Sequence, residues 1–163
     1  MTFLSIRHGI ACGGQEYIVA KQNLVYRGAV DRGHPPPAEP SPPRIPTDAS
    51  RAAFTPKTRL LFHYSGVTNN APRIHYDADS ASGVEGYPAL VVKGGITTTL
   101  VTVFVKLPLG VPIARVTTRA GRQLVADRTA LVAAHTEASR RVRLPMLDEC
   151  GRPAFECVAE AAP

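Results

Sequence analysis

The segment Ala89–Thr118, ALVVKGGITTTLVTVFVKLPLGVPIARVTT, constrains the chain most, because it is the densest run of β-branched and apolar residues in the sequence. β-Branched side chains suit a pleated surface, so the segment reads as strands. Gly94-Gly95 between two such runs suits a two-residue hairpin turn, which needs positive φ at both central residues. In the run Ile96–Leu107, Val101, Val103, Val105 and Leu107 fall on one face. Ile96, Leu100 and Phe104 fall on the other, interleaved with Thr98, Thr102 and Lys106. Apolar residues on both faces predict a central strand covered on both sides, with Val101, Val103 and Val105 in the core. Pro108-Leu109-Gly110 breaks the run, and Val111–Thr118 returns as a third strand. Lys106 interrupts the apolar stretch, so it is too short for a membrane span.

Around this centre the sequence predicts a single, mainly β domain of antiparallel sheets, sandwich or barrel-like, with one C-terminal helix; an α+β arrangement is the alternative. Residues 1–33 read as N-terminal strands. Thr2–Ile10 alternates and ends at Cys12-Gly13-Gly14, and Tyr17-Ile18-Val19 and Leu24-Val25-Tyr26 form a hairpin around Lys21-Gln22-Asn23. Residues 34–58 read as a proline-rich arm, since seven of the thirteen residues His34–Pro46 are proline and such a run samples polyproline II. Residues 59–158 form the main body. Within it Arg59–Tyr64 and Arg73–Tyr76 read as strands, Asp77–Gly86 as an acidic loop, and a piece around Glu156 as an edge strand. Leu124, Arg128, Leu131, His135, Ala138 and Val142 recur at helical spacing, which predicts a helix over 127–141 capped by Asp127 or Thr129. Residues 159–163 read as a frayed tail.

Charge points to partners. The chain carries a formal net charge of +6. Arg115, Arg119, Arg122, Arg128, Arg140, Arg141 and Arg143 stand against only Asp127 and Glu137, with no lysine among them. Guanidinium forks bind phosphate and carboxylate in bidentate fashion, so this segment is a candidate polyanion surface for nucleic acid or an anionic membrane. The alternative is internal pairing with the acidic residues that follow, Asp148, Glu149, Glu156 and Glu160. Pro37, Pro40, Pro43 and Pro46 make two P-x-x-P spacings, the pattern of a peptide docked by a proline-binding domain. Three cysteines, an odd number, read as free thiols in a reducing intracellular compartment, cytoplasmic or nuclear, or in a virion. Nothing at the N-terminus resembles a signal peptide.

Catalytic patterns are sparse. Asp77-x-Asp79 with Ser80, Ser82 and Glu85 offers oxygens for a cation, but Ser82 and Pro88 stand where a calcium loop needs glycine and glutamate. Cys12 has His8 four residues before it, without a third group to orient a base. No cofactor motif is present, and neither a metal nor a catalytic residue is assigned. The sequence therefore predicts a non-enzymatic, self-associating structural or interaction protein. Its β body, proline arm and basic segment make a layout similar to small viral matrix and coat proteins. The alternatives are a small hydrolase-type enzyme assembled from His63, His75, Asp77 and Asp79, and an adaptor acting through its proline arm.

Overall fold

The computed structural model describes residues 2–26, 41–110, 112–138 and 140–162, and the chain divides into two units, Met1–Glu39 and Pro40–Pro163. In the first unit, β1 (Thr2–Cys12) and β2 (Gln15–Tyr26) pair antiparallel from Thr2↔Tyr26 to Cys12↔Gln15. Gly13 and Gly14 turn the chain with φ of 57° and 81°, the left-handed pair a two-residue hairpin requires. β2 is one continuous strand, so the hairpin expected inside residues 16–30 does not form. Pro37 and Pro40 lie outside the described residues; Pro43 and Pro46 precede β3 without regular structure.

The second unit is a five-stranded sheet, ordered β3-β5-β6-β7-β4 and antiparallel at every pairing. Its strands are β3 (Ser50–Phe54), β4 (Ile113–Ala120), β5 (Ala130–Ala138), β6 (Arg141–Leu147) and β7 (Pro153–Ala161). Two helices accompany them, α1 (Thr58–Val67) and α2 (Gly94–Leu109). The chain is thus β-rich α+β. Helix α2 lies against β4, β5, β6 and β7. Val101 and Val105 on α2 meet a core that includes Val132, Val142, Leu144, Met146 and Cys157, all buried.

Several expectations fail here. Ile96–Leu107 is helix, not strand: Ile96, Thr97, Val101 and Val105 are buried at helical spacing, whereas Val103 is 60% exposed. Burial against the sheet outweighs the β propensity of its valines and threonines, which is worth only tenths of a kcal/mol per residue. Arg59–Tyr64 belongs to α1, whose Leu61 and Ser65 are buried one turn apart while Phe62 is exposed. Arg73–His75 is a short 3-10 turn.

The helix expected over 127–141 is strand. On β5, Ala130, Val132 and Ala134 alternate inward, and their small side chains let α2 lie close to the sheet. Asp127 caps a different helix: its carboxylate accepts a hydrogen bond from Thr58 Oγ1 at 2.8 Å, at the start of α1. The arm assigned to 34–58 contains β3. β7 is an inner strand between β6 and β4 rather than an edge, and Ala159, expected in a frayed tail, is buried within it. The strand expected over 111–118 corresponds to β4.

Candidate active site

Two short segments converge beside the N-terminus of α2. The first leaves α1, where Ser65 and Thr68 hydroxyls donate back to the Leu61 and Tyr64 carbonyls at 2.8 and 2.6 Å. Asn69 takes a left-handed φ of 45° and turns the chain. Asn70 N–H then donates to Ser65 O at 3.1 Å, and the 3-10 turn Arg73–His75 follows. Arg73 grips Asp77 through Nε (2.9 Å) and Nη2 (2.5 Å), while Asp77 also accepts the Ser80 N–H at 3.0 Å. Those contacts hold the Asp77 carboxyl below the usual carboxylate range, Ser80 foremost and Arg73 next. The acidic loop is therefore a capped turn, and the described residues contain no cluster fit to hold a metal ion.

The second segment, Leu90–Lys93, is tied to the first by Val91 N–H donating to Ile74 O at 2.9 Å. It is tied to the far side by Val92 N–H to Leu124 O and Ala126 N–H to Leu90 O, both 2.8 Å. His75 Nδ1 lies 2.7 Å from the Val91 carbonyl oxygen. A carbonyl only accepts, so Nδ1 carries the proton and a neutral ring presents Nε2 as a base. Burial pushes the imidazole below its ordinary 6.5; the Val91 bond opposes this and the positive charge of Lys93 adds to it.

Lys93 is 3% exposed, and its Nζ donates to the Asn70 carbonyl oxygen at 2.9 Å. Burial lowers its pKa from the usual lysine value. Immediately after it, α2 begins at Gly94-Gly95, both exposed. The first amides of a helix have no intrahelical acceptor, and with the helix dipole they favour negative charge. A Cβ at Gly95 would meet the Tyr64 hydroxyl, so a side chain there would have to displace the tyrosine. Asn70, Ala71, Phe62 and Tyr76 line an adjoining groove of about 230 Å³. An imidazole base, open helix amides and an apolar groove together suit abstraction of a proton next to a carbonyl, whose oxygen takes up charge.

The residues singled out from the sequence lie elsewhere, apart from His75. His63 sits on α1 with its ring edge toward Phe62. Asp77 acts through Arg73, so the quartet His63, His75, Asp77 and Asp79 does not form the expected site. Cys12 and His8 stand on β1, about 13 Å apart at four residues of extended chain. Burial raises Cys157 to about 11, which leaves it an inert thiol.

Five of the seven arginines have carboxylate partners: Arg115–Glu160 (4.0 Å), Arg122–Asp148 (3.7 Å), Arg128–Glu149 (2.7 Å), Arg141–Glu137 (3.0 Å), and Arg143 with both Glu137 and Glu156. Arg119, next to the end of β4, is opposite Glu156 in the sheet register, and Arg140 lies in the β5–β6 turn.

Lys93 was missed because a lone cation before Gly-Gly reads as a hairpin tip. Once 94–109 is a helix, the same residue stands at its anion-favouring end.

Comparison with known proteins bears on this arrangement. The profile of the hydroxyacyl-thioester dehydratase type 2 family matches residues 2–126. The chain is 39% identical over 102 residues to mesaconyl-C(4)-CoA hydratase of Chloroflexus aurantiacus, covering 61% of this chain and 35% of that protein. It thus spans about a third of the length of this curated relative. Among solved structures, HtdX of Mycobacterium tuberculosis is similar with a TM-score of 0.78 at 15% identity, over 98% of this chain and 62% of that one. The ChsH1–ChsH2 complex of Mycobacterium tuberculosis is similar with a TM-score of 0.60 at 16% identity, over 68% of this chain and 91% of that one. These structures share the fold, a hotdog-like β-rich α+β arrangement. The family match overturns the expectation of a non-enzymatic structural protein of viral matrix or coat type, and with it the nucleic-acid-binding and virion assignments. No described helix is long and apolar enough to cross a membrane.

Proposed function

Because this chain belongs to the hydroxyacyl-thioester dehydratase type 2 family, we propose that it removes water reversibly from a 3-hydroxyacyl thioester to give the 2-enoyl thioester, with His75 as the base. The observation that carries this reading is the His75 Nδ1 bond to the Val91 carbonyl beside the start of α2. In the dehydration direction, neutral Nε2 takes the proton from C2, which is acidified by the neighbouring thioester. Negative charge then builds on the thioester oxygen, and the first amides of α2, at Gly94 and Gly95, are aimed at that charge. As the C2–C3 double bond forms, the C3–O bond breaks. The imidazolium returns its proton to the departing oxygen, so water leaves and His75 is restored. Run backwards, the same residue activates water for addition at C3. Asn70 is exposed on the groove wall, where its amide can orient that water. The apolar groove beside Phe62 and Tyr76 suits the acyl chain.

The relative named for a mesaconyl thioester and the ChsH1–ChsH2 complex also bear on how the chain works. We infer that the thioester is carried on coenzyme A or an acyl carrier and that the chain acts in an assembly of such domains. Hydration of crotonyl-CoA, followed by loss of the enoyl-thioester absorbance, tests the reading. His75→Ala should lower kcat/KM by about 10²–10⁴-fold, the usual contribution of a positioned acid–base group, with the thermal midpoint nearly unchanged. Equal activity in wild type and variant would remove His75 from the reaction. No turnover of any enoyl thioester by the wild type would remove the reaction itself.

A further inference from the structure

Lys93 has no place in the chemistry just described, and its environment is unusual for a cation. The side chain is 3% exposed. Its ammonium has three donors, of which the Asn70 carbonyl oxygen takes one at 2.9 Å. No carboxylate pairs with it among the described residues. A buried charge without a counter-ion is destabilising unless something neutralises it, and here the charge acts on His75, itself a potential cation. Two acids of the surrounding segments are engaged elsewhere: Asp77 by Arg73, and Asp127 by Lys57 and Thr58. The next element, α2, adds the positive end of its dipole through two exposed glycines. Lys93 thus immediately precedes the open helix end, and its ammonium is bonded to the loop that leads to His75.

We propose that Lys93 is a specificity residue for an anionic acyl group: the site takes thioesters whose acyl chain carries a second carboxylate, and Lys93 receives it. This rests on the dehydratase reading and adds the substrate class to it. The thioester oxygen faces the helix amides, while the distal carboxylate supplies the counter-ion that the folded chain lacks. An acyl chain ending in methyl leaves the ammonium buried and unpaired, which is the kind of mismatch that gives strong discrimination.

The test compares fumaryl-CoA, which carries the distal carboxylate, with crotonyl-CoA, which ends in methyl, in wild type, Lys93→Met and Lys93→Arg. Wild type should prefer the carboxylated substrate. Lys93→Met should lose about 10²-fold in the ratio of kcat/KM for the carboxylated over the methyl substrate, the scale of one lost charge-assisted contact. Lys93→Arg should recover part of the preference. Competitive inhibition by succinyl-CoA against butyryl-CoA gives a readout independent of turnover, and the succinyl advantage should vanish in Lys93→Met. Equal losses on both substrates would overturn the proposal and make Lys93 a strut between Asn70 and α2. A wild type that hydrates crotonyl-CoA and ignores the carboxylated substrate would overturn it while leaving the dehydratase reading intact. A wild type inert toward both would instead strike at that reading. Should Lys93→Met fail to fold, the Lys93→Arg preference and the wild-type inhibition pair decide the matter alone.

Discussion

The arginine segment 115–143 and the junction at Lys93 are both cationic, and they differ in what surrounds the charge. On the sheet, Arg143 sits between Glu137 and Glu156, Arg128 faces Glu149, and Arg141 reaches both Glu137 and Glu160. The guanidinium groups of Arg128 and Arg141 are well exposed and that of Arg143 partly so, and water and salt screen what the carboxylates do not neutralise. At the junction there is one buried lysine and one half-buried histidine, facing carbonyl oxygens rather than acids. A large count of charges is compatible with a solvated, ion-paired surface. A single charge kept buried without its counter-ion implies that something else comes to meet it. In this chain the second kind of region marks the site, and its proximity to a helix end reinforces the sign.

The largest expected contrast between the two regions is in turnover. His75→Ala should abolish most activity, as set out above, whereas Arg128→Ala should leave kcat/KM for an enoyl thioester within about twofold, since surface changes away from a site act weakly. A strong activity loss in Arg128→Ala would bring the arginine surface into the site and erase the distinction. Next in size is a stability contrast along α2, the helix that supports the junction. Val101→Ala should cost about 1–3 kcal/mol by loss of buried contacts, while Val103→Ala, on the exposed face, should be neutral within about 0.5 kcal/mol. Chemical denaturation separates the two, and a larger cost at Val103 would favour a strand there.

Smaller again is the ion-pair network. Arg143→Ala should destabilise by about 1 kcal/mol, discounted for partial exposure. Glu137 is held below the usual glutamate range chiefly by Arg143, so its contribution is present above that range and disappears as pH falls through the depressed value. Melts of wild type and variant should therefore differ at neutral pH and converge in acid. The smallest effect belongs to the paired reversal Arg140→Glu with Arg141→Glu. It should shift the melt slightly and leave turnover unchanged. A rise in KM confined to coenzyme A substrates would instead tie these arginines to the phosphates of the carrier and restore a polyanion role to the segment.

How far the sequence led follows from the same residues. Gly13-Gly14 and Gly94-Gly95 are identical dipeptides between apolar runs. Only the first pair turns a hairpin, with both φ positive, and the second opens a helix. Local signals read β1 and β4 well but broke β2 at Lys21-Gln22-Asn23, because alternation and turn residues are properties of neighbouring residues. They misread α2 and β5, because the valines of one and the alanines of the other are chosen by the surface each packs against. The site suffered with the helix. His75 appeared only within an alternative quartet, and Lys93 not at all, since the importance of each depends on contacts 16 and 23 residues away.

The pH dependence of kcat/KM for hydration of an enoyl thioester tests the central claim, that a half-buried neutral His75 is the base. Activity should be constant above the histidine's ordinary 6.5 and persist somewhat below it, because burial and Lys93 disfavour the proton. It should then fall as His75 is protonated in more acidic solution. In the substrate-free protein, stability should begin to decline at the histidine's ordinary 6.5, before activity does, and level off once His75 of the folded chain is protonated, since the unfolded chain takes up the proton first. An acid limb at or above 6.5 would contradict the account by requiring a base that is neither buried nor beside a cation.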